Sequence, residues 1–331
     1  MAKMNRELTK ELQEDIKRVG VNNVLSWLKD KAVELKSNPT NLFETLSEAL
    51  GEGKLTADQL KAAITELEES GDKKIFLFKV DNIAEFDEKA VLRQLRKQGI
   101  TPSKVDWVYG KPGDGPTFMY MYLSDGKLKI KFGEKQYNVE FDPATEKVEK
   151  TVHFVTILLV MDTETGFTEL RLDNPGNKHQ HRNTENKISE SAYEAYYSDR
   201  MQAWFPDLKF SGFDLKPVAY YLAKKGKKIF RIVKDKSTIS GGAKQTFATA
   251  STKLDVRDVA EFKGALKEGG DQWRTDDLTG YWIAAASDGE LKKDLFMRIS
   301  RTLSHLRIRR GCLEQELQYG ISQIRQIQDK V

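Results

Sequence analysis

The chain has 331 residues, 39% of them hydrophobic and 31% charged, with 8 prolines. That composition excludes a disordered or low-complexity polypeptide and leaves room for two or three domains, each with its own core. A formal net charge of +4 also excludes a polybasic coat over the whole molecule.

The charge is unevenly spread. Residues 1–72 carry 10 Lys/Arg against 14 Asp/Glu, residues 73–214 carry 21 against 22, and residues 215–331 carry 23 against 14. An acidic head and a basic last third point to an anionic partner for the C-terminal region. Cys312 is the one cysteine, so no intrachain disulfide forms and a reducing, cytoplasmic setting is expected. The start, MAKMNRELTK, lacks an apolar signal core, and FVTILLV at 154–160 is too short to cross a bilayer, so no membrane association is expected.

Residues 1–72 read as an acidic helical domain. Leu8, Leu12 and Ile16 recur at helical spacing, as do Val24, Leu25, Leu28, Ala32 and Leu35. After the Asn38-Pro39 break, Leu42, Phe43, Leu46, Ala49 and Leu50 form a third stripe ended by Gly51. Thr56 caps a fourth helix with Leu60, Ala63, Ile64 and Leu67 on one face.

Residues 73–214 read as a mainly antiparallel β domain with helices. KKIFLFKV is a strand and EKAVLRQLRKQ (88–98) a helix. KLKIKF (127–132) and QYNVEF (136–141) alternate apolar and polar residues as two strands, with Gly133-Glu134 as a turn. VHFVTILLVM (152–161) is the most buried strand, and FTELRL (167–172) returns across DTETG. The stretch 173–187 reads as a polar loop, followed by a helix whose Tyr193, Tyr196, Tyr197, Met201 and Trp204 pack on the sheet.

Residues 215–331 read as a basic α+β domain ending in two helices. One spans 290–306, with Leu291, Leu295, Ile299, Leu303 and Leu306 as its stripe. The other carries a coiled-coil-like seam of Leu313, Leu317, Gly320, Ile324 and Ile327. The fold class expected is therefore α+β: an N-terminal helical bundle, a central antiparallel sheet and a C-terminal α+β domain.

Two stretches share an order of helix, glycine, lysines and strand: LKAAITELEESGDKKIFLF (60–78) and LKPVAYYLAKKGKKIFRI (215–232). The first lacks the hairpin wing of a winged-helix reader, and its outward residues Asp58, Glu66, Glu68 and Glu69 would repel phosphate. The second sets Lys216, Lys224, Lys225, Lys227 and Lys228 around Tyr220 and Tyr221, which suits either a backbone-tracking, base-stacking surface or a solvated helix end. Lys244 ends the flexible stretch SGGAK, a hairpin tip or a phosphate grip. Arg298, Arg301, Arg307, Arg309 and Arg310 place five arginines in 13 residues with almost no acid between Asp294 and Glu314.

Catalytic motifs are scarce. GEGKLT at 51–56 fails as a phosphate loop, because Leu55 replaces the Mg²⁺-binding hydroxyl and a helix precedes it. His179 and His181 share no obvious further metal ligand, and Cys312 has no identifiable catalytic partner. Asp235 with Glu261 and Lys263 is the one nuclease-like set, since two carboxylates and a lysine can hold Mg²⁺ and orient water.

The expectation is a non-enzymatic nucleic-acid-binding protein that uses Lys224, Lys225, Lys227, Lys228, Lys244 and the five arginines, without metal or cofactor. Residues 1–72 would supply a protein contact and residues 313–327 a route to a homo-oligomer. The alternatives are an adaptor subunit whose basic face meets an acidic protein, and a Mg²⁺-dependent nuclease. DNA and RNA are not distinguished.

Overall fold

The computed structural model describes residues 8–31, 33, 42–82, 88–99, 117–124, 126–142, 147–173, 180–181, 190–239, 242–301, 304–308 and 311–331. The chain is of mixed α+β class. It divides into two compact units: Met1–Lys73, Tyr220–Arg298 and Arg307–Val331 form the first, and Lys74–Ala219 with Ile299–Leu306 the second. The N-terminal helices and most of the C-terminal third thus share one unit.

The first unit begins with α1 (Lys10–Val19), α2 (Val21–Asp30), α3 (Leu42–Gly51) and α4 (Ala57–Ser70). Thr9 caps α1 by accepting the Leu12 N–H at 3.2 Å, and Thr56 with Gln59 forms a capping box on α4. The stripes read from the sequence meet in one core that includes Leu12, Ile16, Val24, Leu28, Leu46 and Leu60. Each such side chain contributes roughly 1.5–3 kcal/mol when fully buried. The carboxylates of α4 correct an expectation. Glu66 does not face outward but accepts the Trp27 indole N–H at 2.7 Å, Glu68 pairs with Arg18, and Glu69 is buried.

The second unit contains β1 (Lys73–Val80), α5 (Glu88–Lys97), β2 (Thr117–Ser124), β3 (Lys127–Asp142), β4 (Lys147–Asp162), β5 (Phe167–Asp173), β6 (Gln180–His181), α6 (Glu190–Trp204) and β7 (Phe210–Gly212). Its main strands lie in the order β2-β3-β4-β5-β1. KLKIKF and QYNVEF are not two strands with a turn at Gly133-Glu134; they are one strand, β3. Its pairing with β4 runs through Gly133↔Thr156 and Glu134↔Val155 without interruption. Glu134 is buried there and accepts a hydrogen bond from Tyr197, so a turn-like dipeptide yields to ladder and core. The DTETG turn forms as read, with Asp162 Oδ1 accepting the N–H groups of Glu164 and Thr165 at 3.0 and 2.9 Å. Tyr197, Met201 and Trp204 on α6 enter the core, and Trp204 stacks on Phe132 with ring centroids 3.9 Å apart. Most of the polar stretch 173–187, His179 included, lies outside the described residues.

The remainder comprises α7 (Lys216–Lys224), β8 (Phe230–Thr238), β9 (Lys244–Ala248), α8 (Ala260–Gly269), β10 (Arg274–Trp282), β11 (Leu295–Ser300), β12 (His305–Ile308) and α9 (Glu314–Gln328). In the first unit the strand order is β11-β10-β8-β9. Residues 290–301 and 304–306 are not helical, so among the described residues the last segment holds one helix rather than two. From Leu295 onward a period of two prevails: Leu295, Met297 and Ile299 are buried while Phe296 and Arg298 are half exposed. Docking beside β10 satisfies the backbone of this segment and overrides its helix-like leucine spacing.

The seam on α9 is used inside its own unit. Leu317, Ile324 and Ile327 are buried, and Gly320 sits so close that a Cβ there would lie 2.7 Å from Met297 Cε and 3.2 Å from Trp282 Nε1. The chain enters α9 against the N-terminal helices, with the Ser70 hydroxyl donating to the Cys312 carbonyl at 2.6 Å and Glu66 accepting the Glu314 N–H at 3.3 Å.

Candidate nucleic-acid interface

Register alone sorts β8, β9 and β10 into two faces. Phe230, Ile232, Asp235 and Ser237 of β8 point inward, as do Leu278 and Trp282 of β10. The outward set is Arg231, Lys234, Lys236 and Thr238 on β8, Lys244, Thr246 and Ala248 on β9, and Asp277, Thr279 and Tyr281 on β10. A register shift between Thr279 and Gly280 keeps this alternation in phase, and Gly280 is required there. A Cβ at that position would lie 2.3 Å from the Arg231 carbonyl oxygen.

The outer face is basic with an aromatic strip. Lys234, Lys236 and Lys244 are exposed, and their ammonium groups have no hydrogen bond or ion pair among the described residues. Lys234 and Lys236 alternate on one strand, about 6.6 Å apart along it. Lys244 pairs with Thr238, one step diagonally from Lys236. Tyr281 meets Phe296 of β11 edge to face at 5.5 Å, and the Arg231 guanidinium lies 5.3 Å from the Tyr281 ring centroid.

The acids near this face are committed to the chain itself. Asp277 receives Arg298 as a two-pronged pair, with Nε 2.8 Å from both carboxylate oxygens. Asp294 accepts from Arg231 at 2.6 Å and from the Ala284 N–H at 2.9 Å. Partial burial pushes the Asp294 carboxyl up, but the Ala284 N–H and the Arg231 guanidinium outweigh it and hold it below its ordinary range. Asp276 accepts the Thr238 hydroxyl at 2.5 Å. What remains uncompensated is positive.

The residues expected to bind stand in differing surroundings. Lys244 stands on the outer face. Arg298 reaches the same face, but its fork is turned onto Asp277. Lys224 donates to the Tyr220 hydroxyl at 2.5 Å and to the Gly270 carbonyl at 3.2 Å, which ties it to its helix end. Lys227 pairs with exposed Asp258 and holds that carboxyl below its ordinary range, while Lys225 and Lys228 are exposed. Arg301 and Arg307 are half-buried, on segments of different units. Arg309 and Arg310 lie outside the described residues, as do Ser240 and Gly241 of the SGGAK stretch.

The nuclease-like set occupies contrasting environments. Asp235 is fully buried; its carboxylate accepts the Ser237 hydroxyl and the Thr275 hydroxyl, the latter at 3.5 Å. Burial pushes this carboxyl up to about 7, against both hydrogen bonds and with help from the charges of Asp276 and Asp277. Glu261 and Lys263 are exposed on α8, either side of buried Phe262. Among the described residues no three His, Cys, Asp or Glu side chains are placed to hold a metal ion.

The residues missed from sequence are Arg231, Lys234, Lys236, Tyr281 and Phe296. A period-two signal was available in FRIVKDKST, where basic residues alternate with buried ones on either side of one bulge. No protein-family model matches this chain, and no curated protein is significantly similar to it. No helix among the described residues is long and apolar enough to cross a membrane.

Proposed function

We propose that the protein binds single-stranded nucleic acid across the outer face of β9, β8, β10 and β11. The supporting observation is three uncommitted lysines, Lys234, Lys236 and Lys244, beside the Tyr281–Phe296 pair. Lysines at alternate strand positions match the repeat of an extended phosphate backbone. An aromatic edge on an open sheet offers a stacking surface to unpaired bases, each worth about 1–3 kcal/mol. Bases still paired in a duplex cannot reach such a face, so unpaired strands are preferred. The chemistry is sequence-tolerant, because every base has a π-face and every nucleotide one phosphate.

The test is fluorescence anisotropy with labelled oligo-dT, oligo-U and a duplex of equal length. Both single strands bind more tightly than the duplex, and Lys234→Glu with Lys236→Glu abolishes the difference. Equal binding of duplex and single strands, or binding untouched by the double variant, rejects the reading. An acidic protein partner in place of nucleic acid is recognised by the absence of oligonucleotide binding at low salt.

A further inference from the structure

Where β8 and β9 begin and end, an open cleft of about 550 Å³ is lined by two residues that also belong to the outer face, Arg231 and Ala248. Its apolar wall is Ala250, Leu254, Val259 and Ile283. Leu254 is 56% exposed, more than any other described large hydrophobic residue of this unit except Val331. Three cations line the same space: Lys227, Arg231 and Lys253.

Two carboxylates, Asp255 and Asp258, also line it, and both are already matched. Asp255 is buried against the Arg257 guanidinium, with Nε to Oδ1 at 2.8 Å and Nη2 to Oδ2 at 2.6 Å. Arg257 in turn donates to the carbonyls of Leu222 and Phe230, so that pair is structural and stays closed. Asp258 is held by Lys227 across a fully exposed contact, which water and salt weaken and a ligand can reopen. The Lys253 ammonium has no partner among the described residues. Arg231 spends Nε on the Thr252 carbonyl at 2.8 Å and Nη2 on Asp294, which leaves Nη1 without a hydrogen bond among the described residues.

An apolar wall beside one uncommitted ammonium, Lys253, and two cations with donors to spare suits a flat heterocycle carrying an anion. Three cations suit a terminal phosphomonoester, with close to two charges at pH 7, better than a backbone diester with one. From these observations we infer that the cleft holds the phosphorylated terminal nucleotide of the strand that lies on the sheet. The base rests on Leu254 and Ile283, and the phosphate sits among Lys253, Arg231 Nη1 and Lys227. This inference rests on the reading of the sheet face given above.

The experiment compares oligo-dT of one length carrying a 5′-phosphate, a 3′-phosphate or neither, on the wild-type chain and on Lys253→Gln. One phosphorylated end binds about tenfold more tightly than the unphosphorylated strand, the size of one charge-assisted hydrogen bond. Lys253→Gln removes most of that preference and changes affinity for the unphosphorylated strand little. Equal affinity for all three strands overturns the terminal site and leaves the sheet reading standing. A preference that survives both Lys253→Gln and Lys227→Gln places the end elsewhere and also overturns it. If no strand binds, both readings fall.

Discussion

The Arg231 guanidinium lies over the ring of Tyr281, 5.3 Å from its centroid, and is braced from the side by the Asp294 carboxylate at 2.6 Å. The two residues are direct neighbours in register on β8 and β10, so the contact is built into the sheet. One cation is thereby fixed beside the aromatic edge, at the point where the face meets the cleft.

Replacing Arg231 separates charge from geometry. Lysine keeps the charge but cannot reach Asp294 and the Thr252 carbonyl together with one fork. Arg231→Lys is expected to lower oligonucleotide affinity several-fold while thermal stability falls by about 1 kcal/mol or less, since the Asp294 pair is partly exposed. Anisotropy and a thermal melt on the same sample check both. An unchanged affinity would show that guanidinium geometry is irrelevant to binding.

Tyr281 is the stacking candidate. Tyr281→Ala is expected to cost about 1–3 kcal/mol of binding and Tyr281→Phe almost nothing, because the ring and not the hydroxyl makes the surface. Equal losses in the two variants would point to a hydrogen bond instead.

Asp235 makes stability depend on pH in a defined direction. Its folded pKa is raised from 3.8 to about 7, so the folded state holds the proton more tightly than the unfolded chain. The stabilising contribution is complete below about pH 4, declines as pH rises through 7 and is gone above it. Asp235→Asn keeps a neutral amide in place. Relative to the wild type, the variant is expected to gain a few kcal/mol between pH 5 and pH 8, at about 1.4 kcal/mol per pH unit of linkage. Urea unfolding at both pH values measures the difference. A constant gap between the two proteins would mean that Asp235 is ionised throughout.

Gly311 is held by two independent constraints. Its φ of +80° is strained for any L side chain, and an added Cβ would lie 2.4 Å from Asn23 Oδ1. Gly311→Ala is expected to destabilise by about 2–3 kcal/mol. In an Asn23→Ala background the same change should cost only the backbone part, about 1 kcal/mol, as a double-mutant cycle would reveal.

Local patterns carried far into this fold, and non-local pairing explains where they stopped. The stripes of α1 to α4 and the cap at Thr56 need only neighbours within a turn, and they are legible in the sequence. Residues 290–306 support two periods at once: the leucines fit a helix, while Leu295, Met297 and Ile299 fit a strand. The choice belongs to β10, about twenty residues upstream, which no local window contains. Gly133-Glu134 looks like a turn until β4 pairs across it. The basic face was hidden for the same reason. Lys234 and Lys236 flank Asp235, whose spacing from Glu261 and Lys263 in sequence suggests a metal ligand, yet its carboxylate is on the inner face. Lys244 joins the two lysines only once β9 has folded back on β8. Of the arginines read as one strip, Arg298 falls on β11 and Arg307 on β12 rather than on a helix.

The most direct measurement is the salt dependence of oligonucleotide binding. With Arg231, Lys234, Lys236 and Lys244 meeting about four phosphates, log K should fall against log salt with a slope near −3 for a single strand. Lys234→Gln with Lys236→Gln should bring that slope to about −1.5. No binding by the wild-type chain at about 50 mM salt, or a slope indifferent to the two substitutions, would contradict the assignment of this face.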